Sequence, residues 1–356
     1  MFNRFWSRPP QTEAGLTIMR DGEGWILDWI SRYLHHYLLL DDIPNQLSLN
    51  ASEAERQVLH FTNRYQCLQD IESYHRSNRI VMTWYHGKRD NPNEPLQGVF
   101  SLLARHKKRI DMIITSTEVS RQTLLSMGIP AKKIVIIPIG VDTSEFRPPN
   151  SLQVRDMREK LDIPEDAFVI GSFQKDGNGW EEGDTPKLIK GPDIWLETLA
   201  KVKKQIPNLF VLLTGPARGY IKNGLDALSI PYRHENLLDY LSVVEYYYAL
   251  DLYLISARDE GGPAGLMESW ATGVPVVSTD MGMPAEWATP GENALLAPVE
   301  DSEALAQAVI KLYQDPILRK KMVQAGYEQV QALDWRILTQ QTYAQVYQPL
   351  LMSMRS

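Results

Sequence analysis

Short runs of β-branched and apolar residues alternate with segments of helical period along almost the whole chain, and this alternation is the pattern of a parallel α/β sheet. In the first half the strand candidates are Leu16–Met19, Val58–Thr62, Arg79–Trp84, Met112–Ser116 and Ile134–Pro138. In the second half they are Phe168–Gly171, Leu209–Thr214, Leu252–Ser256 and Val274–Ser278. Strands that are apolar on both faces need helices on both sides. Ile26, Ile30, Leu34 and Leu38 supply one such helix face, and Ile194–Val202 and Ala304–Tyr313 read as others. A chain of 356 residues has the length of about two domains. Gly140–Pro149 is the expected boundary, because Arg147-Pro148-Pro149 cannot continue regular structure. The expected division is an N-terminal unit, 1–145, and a C-terminal unit, 146–335.

Composition removes several function classes. With 37 Lys and Arg against 44 Asp and Glu, the net charge of −7 argues against a nucleic-acid partner. No apolar stretch approaches the length of a membrane span, and the Met1-Phe-Asn-Arg start lacks a secretory apolar run. The single cysteine, Cys67, excludes an internal disulfide framework and suits a reducing cytoplasm. There is no P-loop, HExxH or G-x-S-x-G, and no carboxylate cluster that asks for a metal ion. The Gly-rich, acidic segment 175–186 reads as a long loop.

In open α/β sheets ligands bind beyond the carboxyl ends of the strands, so function is sought in the loops that follow them. The most informative is within Asp251–Thr279. A strand leads to a loop, and Gly262-Pro263 then opens a helix, Ala264–Thr272, closed by Gly273 as a left-handed cap. Amides of Ala264, Gly265 and Leu266 at that N-terminus suit a phosphate or diphosphate, and Gly265 has no side chain to hinder the approach. Glu260 and Glu268 bracket the turn. Two carboxylates beside a phosphate repel it, so their natural partners are hydroxyl groups.

This segment resembles the signature of retaining glycosyltransferase family 4: Glu, seven residues, Glu, a small-residue helix, then G-x-P-V-V. Ile136–Asp142 with Phe146 is similar to that family's interdomain IPNGVD…F stretch, with Ile139 in place of asparagine. Met281–Glu286 is similar to its GGxPE turn, Gly291–Pro298 to its G.NG.L..P run, and the segment from Trp335 to its closing helix, which implies that residues 336–356 pack back on the first unit. The resemblance implies the GT-B fold, two Rossmann-like domains facing a central cleft. It also implies transfer of a sugar, with retained configuration, from a nucleotide-diphosphate donor to an acceptor hydroxyl. The acceptor would be a glycan or a lipid-linked molecule, with no obligatory metal or other cofactor.

By the same resemblance Glu268 binds the nucleotide ribose, Glu260 lies by the donor sugar, and Lys190 holds the diphosphate. The family's arginine after the first strand of this domain is missing, since Ser172 follows Gly171; Lys175 or Lys187 is expected to replace it. His86, at the end of the Val81–Gly87 strand, matches the histidine that reaches across the cleft, where it would orient the sugar or handle the acceptor proton near neutral pH. Gly24 lies in a Gly-rich turn near donor and acceptor. Thr214-Gly215-Pro216 and Tyr232-Arg233-His234 fall in loops facing the base, and Arg233 is the candidate there. Leu96–Arg109 reads as an amphipathic helix whose Arg105, Lys107, Lys108 and Arg109, with the aromatic start Phe2, Phe5 and Trp6, would serve peripheral membrane contact of a cytoplasmic protein. The rival readings are a glycoside hydrolase, a nucleotide-sugar epimerase of the same architecture, and a non-catalytic partner.

Overall fold

In a computed structural model, which describes residues 14–87, 97–179, 181–237 and 239–355, the alternating runs form two six-stranded sheets. The first contains β1 (Gly15–Met19), β2 (Gln46–Ser48), β3 (Gln57–Phe61), β4 (Arg79–Thr83), β5 (Met112–Thr115) and β6 (Ile134–Ile136), in the order β2-β1-β3-β4-β5-β6. The second contains β7 (Phe168–Ser172), β8 (Leu209–Thr214), β9 (Tyr232–Glu235), β10 (Leu252–Ile255), β11 (Val276–Thr279) and β12 (Leu295–Ala297). Its order, β12-β11-β10-β7-β8-β9, is that of dinucleotide-binding sheets, with the reversal between β7 and β10. Neighbours pair in parallel throughout both sheets. This is the two-domain α/β architecture of the GT-B fold.

All nine expected strands are present. Three more, β2, β9 and β12, lie at sheet edges, where one side of the strand is unpaired and three or four residues suffice, polar ones included in β2 and β9. Buried side chains form one cluster on the outer face of each sheet, Leu59, Phe61 and Trp84 in the first and Trp195, Leu213 and Leu225 in the second. A third cluster is continuous between the units, running from Leu16 and Ile18 through Ile139 and Val141 to Leu266 and Met267.

The chain crosses between the units twice, and the two crossings are bonded to each other. Val141 donates to the Leu333 carbonyl at 3.0 Å, and Trp335 donates to the Val141 carbonyl at 3.1 Å. A Cβ on Gly140 would stand 2.7 Å from the Leu333 oxygen, which accounts for glycine at the crossing. After Trp335 the chain is helical to Arg355, with a π-helical turn at Tyr343–Tyr347, and lies on the first unit. Trp335 stacks on Tyr33 at 5.7 Å between ring centroids. Tyr347 Oη meets His60 Nδ1 at 2.5 Å.

The segment after Asp176 is a closed loop rather than an extended insertion. Gly177 bridges Pro186, and the Asn178 amide donates to the Thr185 carbonyl at 2.9 Å. The helix Gln97–His106 covers the amphipathic stretch, whose first residue, Leu96, lies outside the described residues, as do Phe2, Phe5 and Trp6. Two of its four cations turn inward: Lys107 Nζ donates to the Met127 carbonyl at 3.0 Å, and Arg109 Nη1 to the Asn78 carbonyl at 3.1 Å. Arg105 and Lys108 are exposed. No helix among the described residues is long and apolar enough to cross a membrane.

Candidate active site

The carboxyl ends of both sheets meet at the loop after β10. Gly191 adopts a left-handed conformation, φ 64°, ahead of the helix Pro192–Val202, and any Cβ there would lie 2.0 Å from the Ser256 carbonyl oxygen. This close approach seats the Leu188–Lys190 turn on the loop after β10, where the Arg258 amide donates to the Ile189 carbonyl at 2.8 Å. Arg258 fixes the loop further with two bonds to the Asp193 carboxylate, 2.8 and 2.7 Å, and one to Glu300 at 2.7 Å. Held this way, Lys190 Nζ meets the buried Glu260 carboxylate in an ion pair. The two residues assigned to different parts of a donor are therefore partners here.

Glycines let the first unit close on this loop. A Cβ on Gly261 would collide with the carbonyl oxygen of Tyr85, next to His86 at the end of β4. His86 accepts a bond at its carbonyl from Arg64 Nη1, and the Arg64 guanidinium lies over Trp84, 4.5 Å from its ring centroid. Loss of water, then the positive charges of Arg64, Lys190 and Lys187, push the imidazole well below its ordinary pKa. The expected titration near neutral pH is thereby corrected: His86 is a neutral imidazole in this site. Lys175 is shifted down by burial and by Lys187, and it senses Glu23 in the turn that contains Gly24. Lys175, Lys187, Lys190, Arg64 and His86 thus gather on the two sides of one cleft. Gly24, φ 72°, opens to free space in its turn.

The helix Ala264–Thr272 occupies the expected residues, and no side chain caps its N-terminus. The role given to the missing side chain of Gly265 is different from that expected. Its Cβ position faces the Tyr253 ring at 2.5 Å, so the space serves internal packing against β10, and an incoming anion has the backbone amides. Leu266 is buried in the core, its amide turned to the Pro263 carbonyl at 3.0 Å, which removes it from the free donors; Ala264 is half-buried.

Glu268 is 4% exposed and makes contacts the motif does not reveal. Tyr240 Oη donates to one carboxylate oxygen at 2.5 Å and Tyr247 Oη to the other at 2.6 Å. Burial raises the carboxyl pKa, and the two phenols draw it back down. Arg233 is not brought into the cleft cluster. It lies on β9, exposed, bonded to Glu235 at 2.7 Å and 4.0 Å from Asp162, because Tyr232–Glu235 is an edge strand and not the loop expected.

The place left by the missing arginine has its own occupant. Arg218, fully buried, extends from the turn after β8 to Ser172: Nη1 donates to the Ser172 carbonyl at 2.9 Å and Nη2 to the Ser172 hydroxyl at 3.0 Å. It also donates to the carbonyls of Gln174 and Thr214 and pairs with buried Asp176 at 3.1 Å. The guanidinium therefore fixes the backbone on both sides of Lys175. Nothing in the spacing of Arg218 from Gly171 signals this, since the contact depends on two adjacent parallel strands. Among the described residues no group of His, Cys, Asp and Glu is placed to hold a metal ion.

Two Rossmann-like units with their carboxyl ends facing, bonded together at a double crossing, and a cationic cluster between them define a GT-B protein. Residues 186–329 match the model of the family described as glycosyl transferases group 1. It is similar to a D-inositol 3-phosphate glycosyltransferase of Acidothermus cellulolyticus, 26% identical over 242 residues, 63% of this chain and 50% of the relative. It is similar also to the lipopolysaccharide core mannosyltransferase LpsB of Rhizobium meliloti, 24% identical over 217 residues, 58% of this chain and 57% of the relative. The chain thus spans about half the length of these curated relatives. Among solved structures, Anabaena HepE in complex with UDP-glucose superposes with a TM-score of 0.74 at 16% identity, covering 94% of this chain and 99% of that one. Sucrose-phosphate synthase of Thermosynechococcus elongatus gives 0.67 at 19% identity, covering 93% and 80%. Both describe the same fold.

Proposed function

We propose that the protein transfers a sugar from a nucleoside-diphosphate sugar to an acceptor hydroxyl of a glycan or lipid-linked molecule, with retention at the anomeric carbon. The reading rests on one observation: Lys190, with Lys175 and Lys187 nearby, faces His86 across the cleft, beside a helix N-terminus that no side chain caps. Cations and amides so placed meet the charge that develops on a departing diphosphate, and the interaction strengthens as the glycosidic bond to phosphate breaks. This electrostatic work is the kind a metal ion does elsewhere, and the reaction is proposed to need none.

In a front-face transfer the anomeric carbon–phosphate oxygen bond breaks as the acceptor oxygen bonds to the same face of that carbon. The acceptor proton passes to the leaving phosphate oxygen. No enzymic base is required, in keeping with a neutral His86 that orients hydroxyl groups by hydrogen bonding. Lys190, drawn to the arriving anion, releases Glu260 to take hydroxyls of the sugar. Closure around the donor excludes water as a competing acceptor.

A pair of carboxylates acting as acid and nucleophile is poorly supported, because Glu268 is enclosed by two phenols and Glu260 is held by a lysine. The test is a thermal-shift screen of nucleotide sugars followed by product analysis with the stabilising donor. A donor at 100 times its dissociation constant stabilises the fold by about 2.7 kcal/mol. Sugar transfer that persists in a chelator supports the proposal. Sugar release with no nucleotide required, or donor binding without turnover in any acceptor mixture, refutes it.

A further inference from the structure

The donor groups proposed above stand on the second unit, so an acceptor has to be held by the opposing wall of the cleft, which the first unit supplies. The turn after β1 forms part of that wall. Lys175 of the second unit feels the charge of Glu23 in this turn. Trp29, whose amide donates to the Trp25 carbonyl at 3.0 Å one helical turn away, packs on Tyr240 of the second unit at 5.6 Å between centroids. Trp25 lies between these two contacts. It is 40% exposed and occupies the N-cap of the helix Ile26–Leu40, where its backbone is extended and no side chain caps the helix. Ser, Thr, Asp and Asn stabilise that position by accepting from a backbone amide, which an indole cannot do. Neither capping nor burial therefore accounts for a tryptophan there.

A second exposed aromatic stands on the same rim. Tyr65, 42% exposed, is at the start of the helix Arg64–Asp70 after β3, the strand next to β1. The two helix starts are tied together. Asn63 Nδ2 donates to Asp21 Oδ2 at 3.3 Å, Asn63 Oδ1 takes the Tyr65 amide at 2.9 Å, and Asp21 Oδ1 takes the Glu23 amide at 3.1 Å. Buried Asp28 clamps the turn, accepting from Arg20 at 2.7 and 2.9 Å and from the Gly22 amide at 3.3 Å. The Arg64 guanidinium, 5.3 Å from the Tyr65 centroid, connects this edge to the His86 carbonyl that it holds. A Cβ on Gly24 would meet nothing within 4 Å, so the space over the turn is open.

The apolar C–H face of a pyranose ring lies flat on an aromatic ring while its hydroxyl edge donates to carboxylate and amide oxygens, and this rim offers both surfaces side by side. An alkyl chain would strip water from Asp21, Glu23 and Asn63 and give nothing in exchange. A phosphate would meet two carboxylates. We propose that Trp25 and Tyr65, with Asp21 and Asn63 between them, form the acceptor subsite, and that its occupant is a neutral pyranose. The inference rests on the transfer reading above and narrows its acceptor to an uncharged sugar ring, whatever that ring is attached to.

The experiment is saturation-transfer difference NMR on the full chain with the methyl glycosides of glucose, mannose and galactose at millimolar concentration. Mannose 6-phosphate and octyl glucoside serve as the charged and the alkyl probe. At least one neutral glycoside should be saturated, most strongly at ring C–H positions, and should bind more tightly than the phosphorylated sugar. Trp25→Ala should weaken that glycoside about tenfold and Tyr65→Ala about threefold, with Trp25→Phe recovering much of the loss. Both side chains are exposed, so urea midpoints should stay close to wild type and loss of fold does not mimic the result. With a donor found by the thermal-shift screen, Trp25→Ala should raise the KM for the acceptor glycoside about tenfold and leave donor affinity unaltered. Four results each overturn the inference and leave the donor reading standing: equal saturation in wild type and Trp25→Ala, no saturation of any neutral glycoside, tighter binding of mannose 6-phosphate, or saturation confined to the octyl chain. Glycoside binding that depends on Trp25, in a chain that no nucleotide sugar stabilises, overturns the transfer reading instead and leaves the rim as a sugar-binding site.

Discussion

Lowering the pH should loosen the C-terminal helix from the first unit through His60. This histidine is 1% exposed on β3, with Nδ1 against Tyr347 Oη at 2.5 Å and Nε2 against Thr83 Oγ1 at 2.9 Å. Two hydroxyls satisfy a neutral imidazole, one as donor to it and one as acceptor, and nothing there balances a second proton. Burial lowers its pKa from 6.5 to about 3. Between those values the unfolded chain binds a proton that the folded chain refuses, so stability increases with pH across that window and is lost as the pH falls through it. Each pH unit below 6.5 therefore costs about 1.4 kcal/mol, or about 2 kcal/mol between pH 7 and pH 5. Other groups titrate in the same range, so the informative quantity is a difference. His60→Gln keeps a donor and an acceptor but cannot be protonated. Urea denaturation of both proteins at pH 7 and pH 5 should show the variant losing about 2 kcal/mol less than the wild type over the interval. Parallel losses would refute the reasoning, and would mean that the imidazole is already charged or solvated in the folded protein.

Three other perturbations follow from the cleft. Lys190→Ala should lower kcat by about two to three orders of magnitude if the ammonium stabilises the departing diphosphate, with a smaller change in KM; an unaltered kcat removes it from the site. Arg218→Met leaves the Asp176 carboxylate buried beside it without its cation, and should cost about 3–5 kcal/mol in urea denaturation. Asp176→Leu in the same chain should restore part of that loss; no restoration would show that the carbonyl contacts of Arg218 carry the effect. Glu286 accepts from the Glu118 amide at 2.8 and 3.0 Å and from the Val119 amide at 3.3 Å, capping a first-unit helix from the second unit. Glu286→Ala should destabilise the protein by about 1 kcal/mol at low salt and less at high salt, as read from the urea midpoint; a loss unaffected by salt would argue against the helix-dipole origin.

The parts of this protein that were legible in the sequence are those in which a local pattern has one structural solution. Leu209–Thr214 is apolar at nearly every position and has to be a covered strand; Gly262-Pro263 and Gly273 mark both ends of the helix between them. Edge strands break that rule, because Tyr232-Arg233-His234-Glu235 needs only one partner and can remain polar, so its sequence reads as a loop and points Arg233 at a base, which the strand does not do. The site divides in the same way. Glu260 and Glu268 lie in a motif whose spacing is local and Lys190 stands beside Gly191 at a helix start, whereas the groups that set their charge and direction come from elsewhere along the chain. Arg218 reaches Ser172 across 46 residues, and Tyr240 and Tyr247 reach Glu268 across 28 and 21. Sequence shows a tyrosine-rich stretch at 240–248, yet the same composition describes an ordinary core helix. Only the folded chain shows Tyr240 and Tyr247 directed at a buried carboxylate. The groups that orient this cleft are therefore separated in the chain from the residues they hold, and that separation conceals them from the sequence.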